Sequence, residues 1–386
     1  MSFGILALLV LAGLMGPILG SSRRFGLPVV VGEVLAGVIV GTTGFGWINA
    51  SQPTVALLGD IGFAMLMLSA GMHIPVRTPG LVKLLPRSLV AVVINACLAV
   101  PCGVLAAHLS GGGHTAIYVL LLSGGSAAIV LPALQETGLL DSARVLPLII
   151  QIALADVAAI VAVPLVLQPS RAGHAALASA LVTACAVAVF TLARHLDRTR
   201  PVTALRSLSA ERSWALDLRV ALLVLFALCW IALRGGTSIL VAGFSVGLVV
   251  GALGGPERLS TQVTGIGQGF FIPVFFVVLG ARIDLHALIR TPSLFTLVAI
   301  LVAANVAVHV VGSLILRQTS TSGLVATAQL GLPAAVAALG MRVGVLDTGR
   351  AAAIVAAGLC SLPIASLGTR RLVTLTASTA GQRDRS

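Results

Sequence analysis

Apolar runs of about 20 residues recur along the whole chain, and a helix of that length is what crosses the hydrocarbon core of a bilayer. With 58% apolar and only 9% charged residues among 386, the chain is too apolar for a water-soluble domain. Its runs are also too long for the strands of an outer-membrane barrel. We therefore predict an all-α, polytopic helical membrane protein with about 13 transmembrane helices. The predicted spans are 3–20, 27–44, 54–72, 84–108, 115–134, 143–167, 175–194, 215–233, 237–254, 267–281, 293–316, 322–341 and 351–372.

The basic residues predict the orientation of these spans. The first run has no basic residue before it and is followed by Arg23 and Arg24, which indicates a retained helix that enters with its N-terminus outside. With 13 spans the C-terminus is then cytoplasmic, and the large majority of the 24 basic residues lie on the cytoplasmic side. The arginines are dispersed between apolar runs, so the net charge of +12 indicates a lipid surface and no nucleic-acid partner. We expect an integral protein of a bacterial cell (inner) membrane.

Three segments of the first half recur in the second half. GEVLAGVIVG at 32–41 matches AGFSVGLVVG at 242–251, and LMLSAGMHI before Pro75 matches FFVVLGARI before Asp284. The segment 123–141 likewise matches 329–347. Such copies, inserted with opposite orientation, are typical of secondary transporters. We predict a first inverted repeat over 1–174, a linker helix and cytoplasmic loop over 175–214, a second inverted repeat over 215–372, and a short cytoplasmic tail over 373–386.

Glycine and proline interrupt two spans at corresponding positions of the repeats. Small or helix-breaking residues inside a span are tolerated where they line a protein-enclosed cavity, and paired interruptions predict two broken helices that cross at the midplane. The alternative is an ordinary packing face of small residues. The predicted break residues are Gly124, Gly125, Pro132, Gly331 and Pro333.

Asp156 lies near the centre of its span, too deep for its short side chain to reach the membrane surface. An uncompensated carboxylate is costly at this depth, so ionisable groups inside the membrane are functional by default; the alternative is a structural aspartate. In a functional site, a proton and a cation can compete for its oxygens. We expect Ser123 and Ser126 of the first break to contribute to the same ion- and proton-binding site. His309, with Asn305 one turn earlier on the same face, is either a proton-linked partner or a histidine that bonds between helices.

Three other charged residues are interpreted mainly as structural. Glu33 and Asp60 lie about two turns into their spans, where an acid often meets a neighbouring basic group, and Arg282 lies at a span end. No resident metal and no cofactor is predicted.

The motifs around these residues resemble a known family. The segments that carry the resemblance are RRFGLPVVVGEVLAGVIVG (23–41), FAMLMLSAGM (63–72), SGGSAAIVLPALQE (123–136), Ala155-Asp156 and FFIPVFFVVLGARID (270–284). In this combination the chain resembles the monovalent cation:proton antiporter superfamily, and within it the bacterial sodium/hydrogen exchanger branch. The resemblance implies two crossed, broken helices in a core domain, a dimerisation domain and hence a homodimer, and elevator-type alternating access. It also implies that Asp156 binds the ion and that 123–130 and 331–335 are unwound.

The chain departs from the family pattern in three places. Ala155 replaces the Asn or Asp that precedes the ion-binding aspartate, and His309 lies in the helix where many electrogenic members have lysine. Gly331-Leu332-Pro333 replaces a common arginine-glycine-glutamate.

The sequence therefore predicts a secondary active transporter that exchanges a monovalent cation, sodium or potassium, for protons. One alternative is a transporter of the same fold for another small or organic ion. A remote alternative is an intramembrane hydrolase, but the chain has neither paired deep aspartates nor an HExxH motif. We accordingly expect no enzymatic activity.

Overall fold

In the computed structural model, all regular structure among the described residues is helical, which confirms the predicted all-α class. The structure describes residues 2–21, 28–74, 81–111, 113–139, 142, 145–196, 208, 209, 211, 212, 214–254, 257–284, 286 and 290–383. Its main helices are α1 (Phe3–Ser21), α2 (Val29–Val40), α3 (Pro53–Met72), α4 (Leu81–Leu109), α5 (Thr115–Ser123), α6 (Ala127–Glu136), α7 (Leu146–Leu167), α8 (Ala172–Leu196), α9 (Leu216–Arg234), α10 (Ile239–Leu253), α11 (Glu257–Ile266), α12 (Ile272–Ala281), α13 (Pro292–Ile315), α14 (Ser320–Ala326), α15 (Gly331–Arg342) and α16 (Thr348–Arg383).

Ten helical stretches among the described residues are long and apolar enough to cross a membrane, and α2 and α10 are shorter apolar helices. The fifth predicted span is present as the separate helices α5 and α6. The number 13 stays a prediction, because length and composition do not show whether the short helices cross the bilayer. The predicted start of the tenth span was wrong. The helical stretch that contains it begins at Glu257, because the polar turns of α11 continue through a π-helical turn at Gly267–Phe271 into α12.

The helices group into two bundles. We call α1–α3 together with α8–α12 the first bundle, and α4–α7 together with α13–α16 the second bundle; helices pack mainly within their own bundle. The two bundles meet chiefly where α3 packs on α6 and where α7 packs on α8 and α10. The first half of the chain and the second half both contribute helices to each bundle.

Two glycine crossings hold the first bundle together across the halves of the chain. A Cβ on Gly37 of α2 would lie 3.0 Å from the Cα of Gly280 in α12, and a Cβ on Gly71 of α3 would lie 2.9 Å from the Cα of Gly247 in α10. Only glycine permits such a close approach of two helix backbones. In the repeat alignment, Gly37 corresponds to Gly247 and Gly71 corresponds to Gly280. The Gly37–Gly280 contact is therefore the repeat equivalent of the Gly71–Gly247 contact.

Candidate ion-binding site at two helix breaks

The first break separates α5 from α6 by the residues 124–126. Gly124 adopts an extended conformation (φ −79°, ψ 170°) directly after α5, and Ala127 is the first residue of α6. The break is shorter than the expected 123–130, since helical bonds to Ser126 resume at once. The prediction of a break at Pro132 was wrong, because α6 continues through this residue to Glu136. The break leaves carbonyls at the end of α5 and N–H groups at the start of α6 without helical partners.

Asp156 lies against the N-terminal end of α6. It is the middle residue of α7 and only 4% exposed. Its Oδ2 accepts a hydrogen bond of 3.0 Å from the backbone N–H of Ala127. The start of a helix carries partial positive charge, so this position favours an anionic side chain. The preceding Ala155 is buried and adds no side-chain oxygen.

His309 lies at the opposite end of the same break. Its Nε2 is 3.1 Å from the carbonyl oxygen of Gly124, and its Nδ1 is 3.0 Å from the carbonyl oxygen of Asn305. Because carbonyls only accept, a neutral ring donates to one of them at a time, whereas an imidazolium donates to both. No hydrogen bond or ion pair joins His309 to Asp156 in the described part of the chain; the two residues bind opposite ends of one break.

The second break lies earlier than expected. Helix α14 ends at Ala326 and α15 begins at Gly331, so 327–330 is the interruption and the expected unwinding of 331–335 was wrong. Gly331 and Pro333 form the first turn of α15, where a proline is tolerated because its N–H would have no helical partner anyway.

Helix α13 contacts both breaks through residues one turn apart. Asn305 Nδ2 donates a hydrogen bond of 2.9 Å to the carbonyl oxygen of Thr327 in the second break, while His309 contacts the first. Ser361 of α16 also contacts the second break, where its hydroxyl accepts a hydrogen bond of 3.2 Å from the N–H of Gln329. Side chains of the second bundle therefore fix both interruptions.

The two breaks lie against each other. A Cβ on Gly124 would collide with the side chain of Leu332, and a Cβ on Gly331 would lie 4.0 Å from Ser126 Oγ. Ser126 is buried, and Ser123 Oγ donates to the Leu120 carbonyl within α5 at 3.1 Å. The residues predicted for the ion-binding site therefore lie close to the two breaks.

The three charged residues interpreted as structural lie away from the breaks, in the first bundle. Glu33 is buried in α2 next to Gly16 of α1. Asp60 of α3 forms an ion pair of 3.5 Å with Arg342 of α15, which joins the two bundles. Arg282, at the end of α12, lies within electrostatic range of both members of that pair.

The sequence did not predict the backbone groups that form hydrogen bonds at the breaks, because the N–H of Ala127 and the carbonyl of Thr327 have no residue-specific signature. It also did not predict a role for Gln329. In that case a signal was present, because Gln329 is an uncharged polar residue deep in an apolar span.

A sequence profile described as "Sodium/hydrogen exchanger, transmembrane" matches residues 7–375. The chain belongs to this family. The match covers nearly the whole chain and agrees with the resemblance to the monovalent cation:proton antiporter superfamily.

Relatives of this family member are distant. The chain is 24% identical to YjbQ of Bacillus subtilis, which is provisionally named as a Na(+)/H(+) antiporter. The match covers 91% of this chain but only 60% of YjbQ, so this chain spans about three fifths of the length of that relative. It is 22% identical to the Na(+)/H(+)-K(+) antiporter GerN of Bacillus cereus, over 68% of this chain and 67% of GerN.

A solved structure shares the fold. The sodium proton antiporter MjNhaP1 of Methanocaldococcus jannaschii superposes with a TM-score of 0.58 and 18% identity, covering 97% of this chain and 96% of that one.

Proposed function

We propose that this protein is a secondary active transporter that exchanges a monovalent cation, sodium or potassium, for protons. Its family membership and the names of its relatives support exchange of this type. The observation that carries the proposal is the buried carboxylate of Asp156, held by the N–H of Ala127 at a helix break in mid-span.

The chemistry follows from a single carboxylate. Its ionised form is stabilised by the start of α6 and can bind a cation, with the Ser126 hydroxyl and break carbonyls as neutral ligands. Its protonated form cannot hold the cation. One site that binds either a proton or a cation, but not both, exchanges the two when it faces the two sides of the membrane in turn.

The two-bundle architecture supports alternating access. The second bundle contains both breaks and Asp156, and it contacts the first bundle at few elements. We infer that it moves as a unit against the first bundle, and that Asp60–Arg342 is a contact which this motion breaks. The crosswise glycine pairs support division into two inverted repeats.

The assembly and its placement are inferred on other grounds. We infer a homodimer from the family resemblance. We infer a bacterial inner membrane from the same resemblance, and an outside N-terminus with a cytoplasmic C-terminus from the distribution of basic residues.

The test is exchange in everted membrane vesicles, followed as dye-monitored dissipation of a pH gradient when sodium, potassium or lithium is added. We expect Asp156→Asn to abolish dissipation while the protein still inserts, because an amide has nearly the same size but cannot alternate between proton and cation. Asp347→Asn is the matched control, since Asp347 is 55% exposed in its side chain and pairs with Arg350 far from the breaks. Wild-type exchange by Asp156→Asn would overturn the proposal.

A further inference from the structure

A small cavity lies beside the second break, on the side of Asn305 and Gln329. It has a volume of about 10 Å³, which is about the room that one water molecule needs. Helices α5, α13, α15 and α16 surround it with apolar side chains, among them Leu122, Leu301 and Ile354. The residues that line it are all buried.

Two amide oxygens at this cavity have no hydrogen-bond partner. Asn305 and Gln329 are only 2% and 6% exposed, and the atoms Asn305 Oδ1 and Gln329 Oε1 are both buried and unpaired. The orientation of the Asn305 amide is fixed, because its Nδ2 donates to the carbonyl of Thr327 and a flipped amide would place two oxygens together. Buried polar atoms are nearly always bonded, so an unpaired pair at one cavity indicates a ligand.

The chemistry of the lining selects the ligand. Two acceptors require a ligand with two donors. A bare cation fits poorly, because no acidic side chain is among the described residues that line the cavity, and an unpaired charge is unstable in apolar surroundings. Water has two hydrogens for two acceptors and needs no counter-charge.

We propose that this cavity binds one water molecule, which donates one hydrogen to Asn305 Oδ1 and the other to Gln329 Oε1. The water connects α13 to the second break a second time, in addition to the bond from Asn305 to Thr327. It thereby holds the segment 327–330 in place. This proposal is independent of the transported ion, since it concerns a residue pair that does not contact Asp156.

The direct test is a cryo-EM map of the protein in nanodiscs, recorded in potassium and in thallium, at a resolution that shows ordered water. We expect one density within hydrogen-bonding distance of both oxygens, equal in the two salts. A cavity without density would overturn the proposal, and so would a peak that grows in thallium, which identifies a cation.

A thermal test separates a bound water from two unpaired oxygens. Gln329→Met keeps the side-chain length and removes the acceptor. If water is bound, this variant loses a hydrogen bond and should melt about 1 to 2 °C lower than the wild type. If the oxygen has no partner, its removal should leave the melting temperature unchanged or raise it, and that result contradicts the proposal.

The matched control is Tyr118→Phe, because the Tyr118 hydroxyl oxygen is also buried and unpaired but Tyr118 does not line this cavity. We expect a smaller change in melting temperature there. Neither the cryo-EM map nor the melting temperatures depend on transport. A failure of the water proposal is therefore distinguishable from a failure of the exchange proposal.

Discussion

The Nε2 atom of His309 lies 3.1 Å from the carbonyl oxygen of Gly124, the first residue of the first helix break. Three residues further along, the N–H of Ala127 donates to Asp156. The negative end of α5 therefore faces a donor and the positive end of α6 faces a carboxylate, which is the arrangement that the two helix dipoles favour.

We expect His309→Gln to keep exchange but change its pH profile, because glutamine can donate to the Gly124 carbonyl but cannot titrate. His309→Lys, which places a permanent positive charge at this position, should be tolerated better than His309→Gln. His309→Leu leaves the carbonyl without a donor, and we expect exchange to fall about tenfold, equivalent to about 1.4 kcal/mol. The measurement is exchange rate against pH in proteoliposomes. Superimposable profiles for wild type, Gln and Leu would reduce His309 to a packing residue.

The N–H of Ala127 can be removed with little damage to α6, because proline is tolerated at the first helical position. A hydrogen bond to a carboxylate favours its ionised form, so Ala127→Pro should make the proton at Asp156 harder to remove. We expect the pH of half-maximal exchange to rise by about one unit. Ala127→Gly keeps the N–H and serves as the control. An unchanged pH profile in the proline variant would show that this hydrogen bond does not tune the site.

Exchange should be electroneutral, because the site has one carboxylate, with Ala155 in place of a second polar residue. One proton is then traded for one monovalent cation. The check is the exchange rate in proteoliposomes with and without a membrane potential imposed by valinomycin. A steep response to potential would require another moving charge, and an imidazolium at His309 is the candidate; His309→Gln should then abolish the response.

The ion pair between Asp60 and Arg342 should matter for motion and little for stability. Their side chains are 32% and 53% exposed, and pairs of this kind contribute below about 1 kcal/mol. In a chain whose native cysteines are replaced, we expect Asp60→Cys with Arg342→Cys to transport until a short bismaleimide bridges the two positions. Each single cysteine variant, treated identically, is the control. Full exchange after complete cross-linking would show that the bundles need not separate here.

The sequence predicted the helical class, the existence of two breaks and the central aspartate, because long apolar runs, paired glycine-proline interruptions and a deep carboxylate have direct physical meanings. It misplaced the second break, since Gly331 and Pro333 suit the first turn of a helix as well as an interruption. It also could not show that His309 contacts Gly124. That contact joins residues 185 positions apart and depends on packing that no local pattern records.

The glycine crossings have a consequence for how the protein is made. Gly37 and Gly71 enter the membrane early in synthesis, but the helices that cover them contain Gly280 and Gly247 and emerge about 200 residues later. Until then the close-packing faces of α2 and α3 are open to lipid. The first bundle therefore closes only after α12 has been inserted: a nascent chain released before α10 emerges carries two uncovered glycine faces, and one released between α10 and α12 carries one.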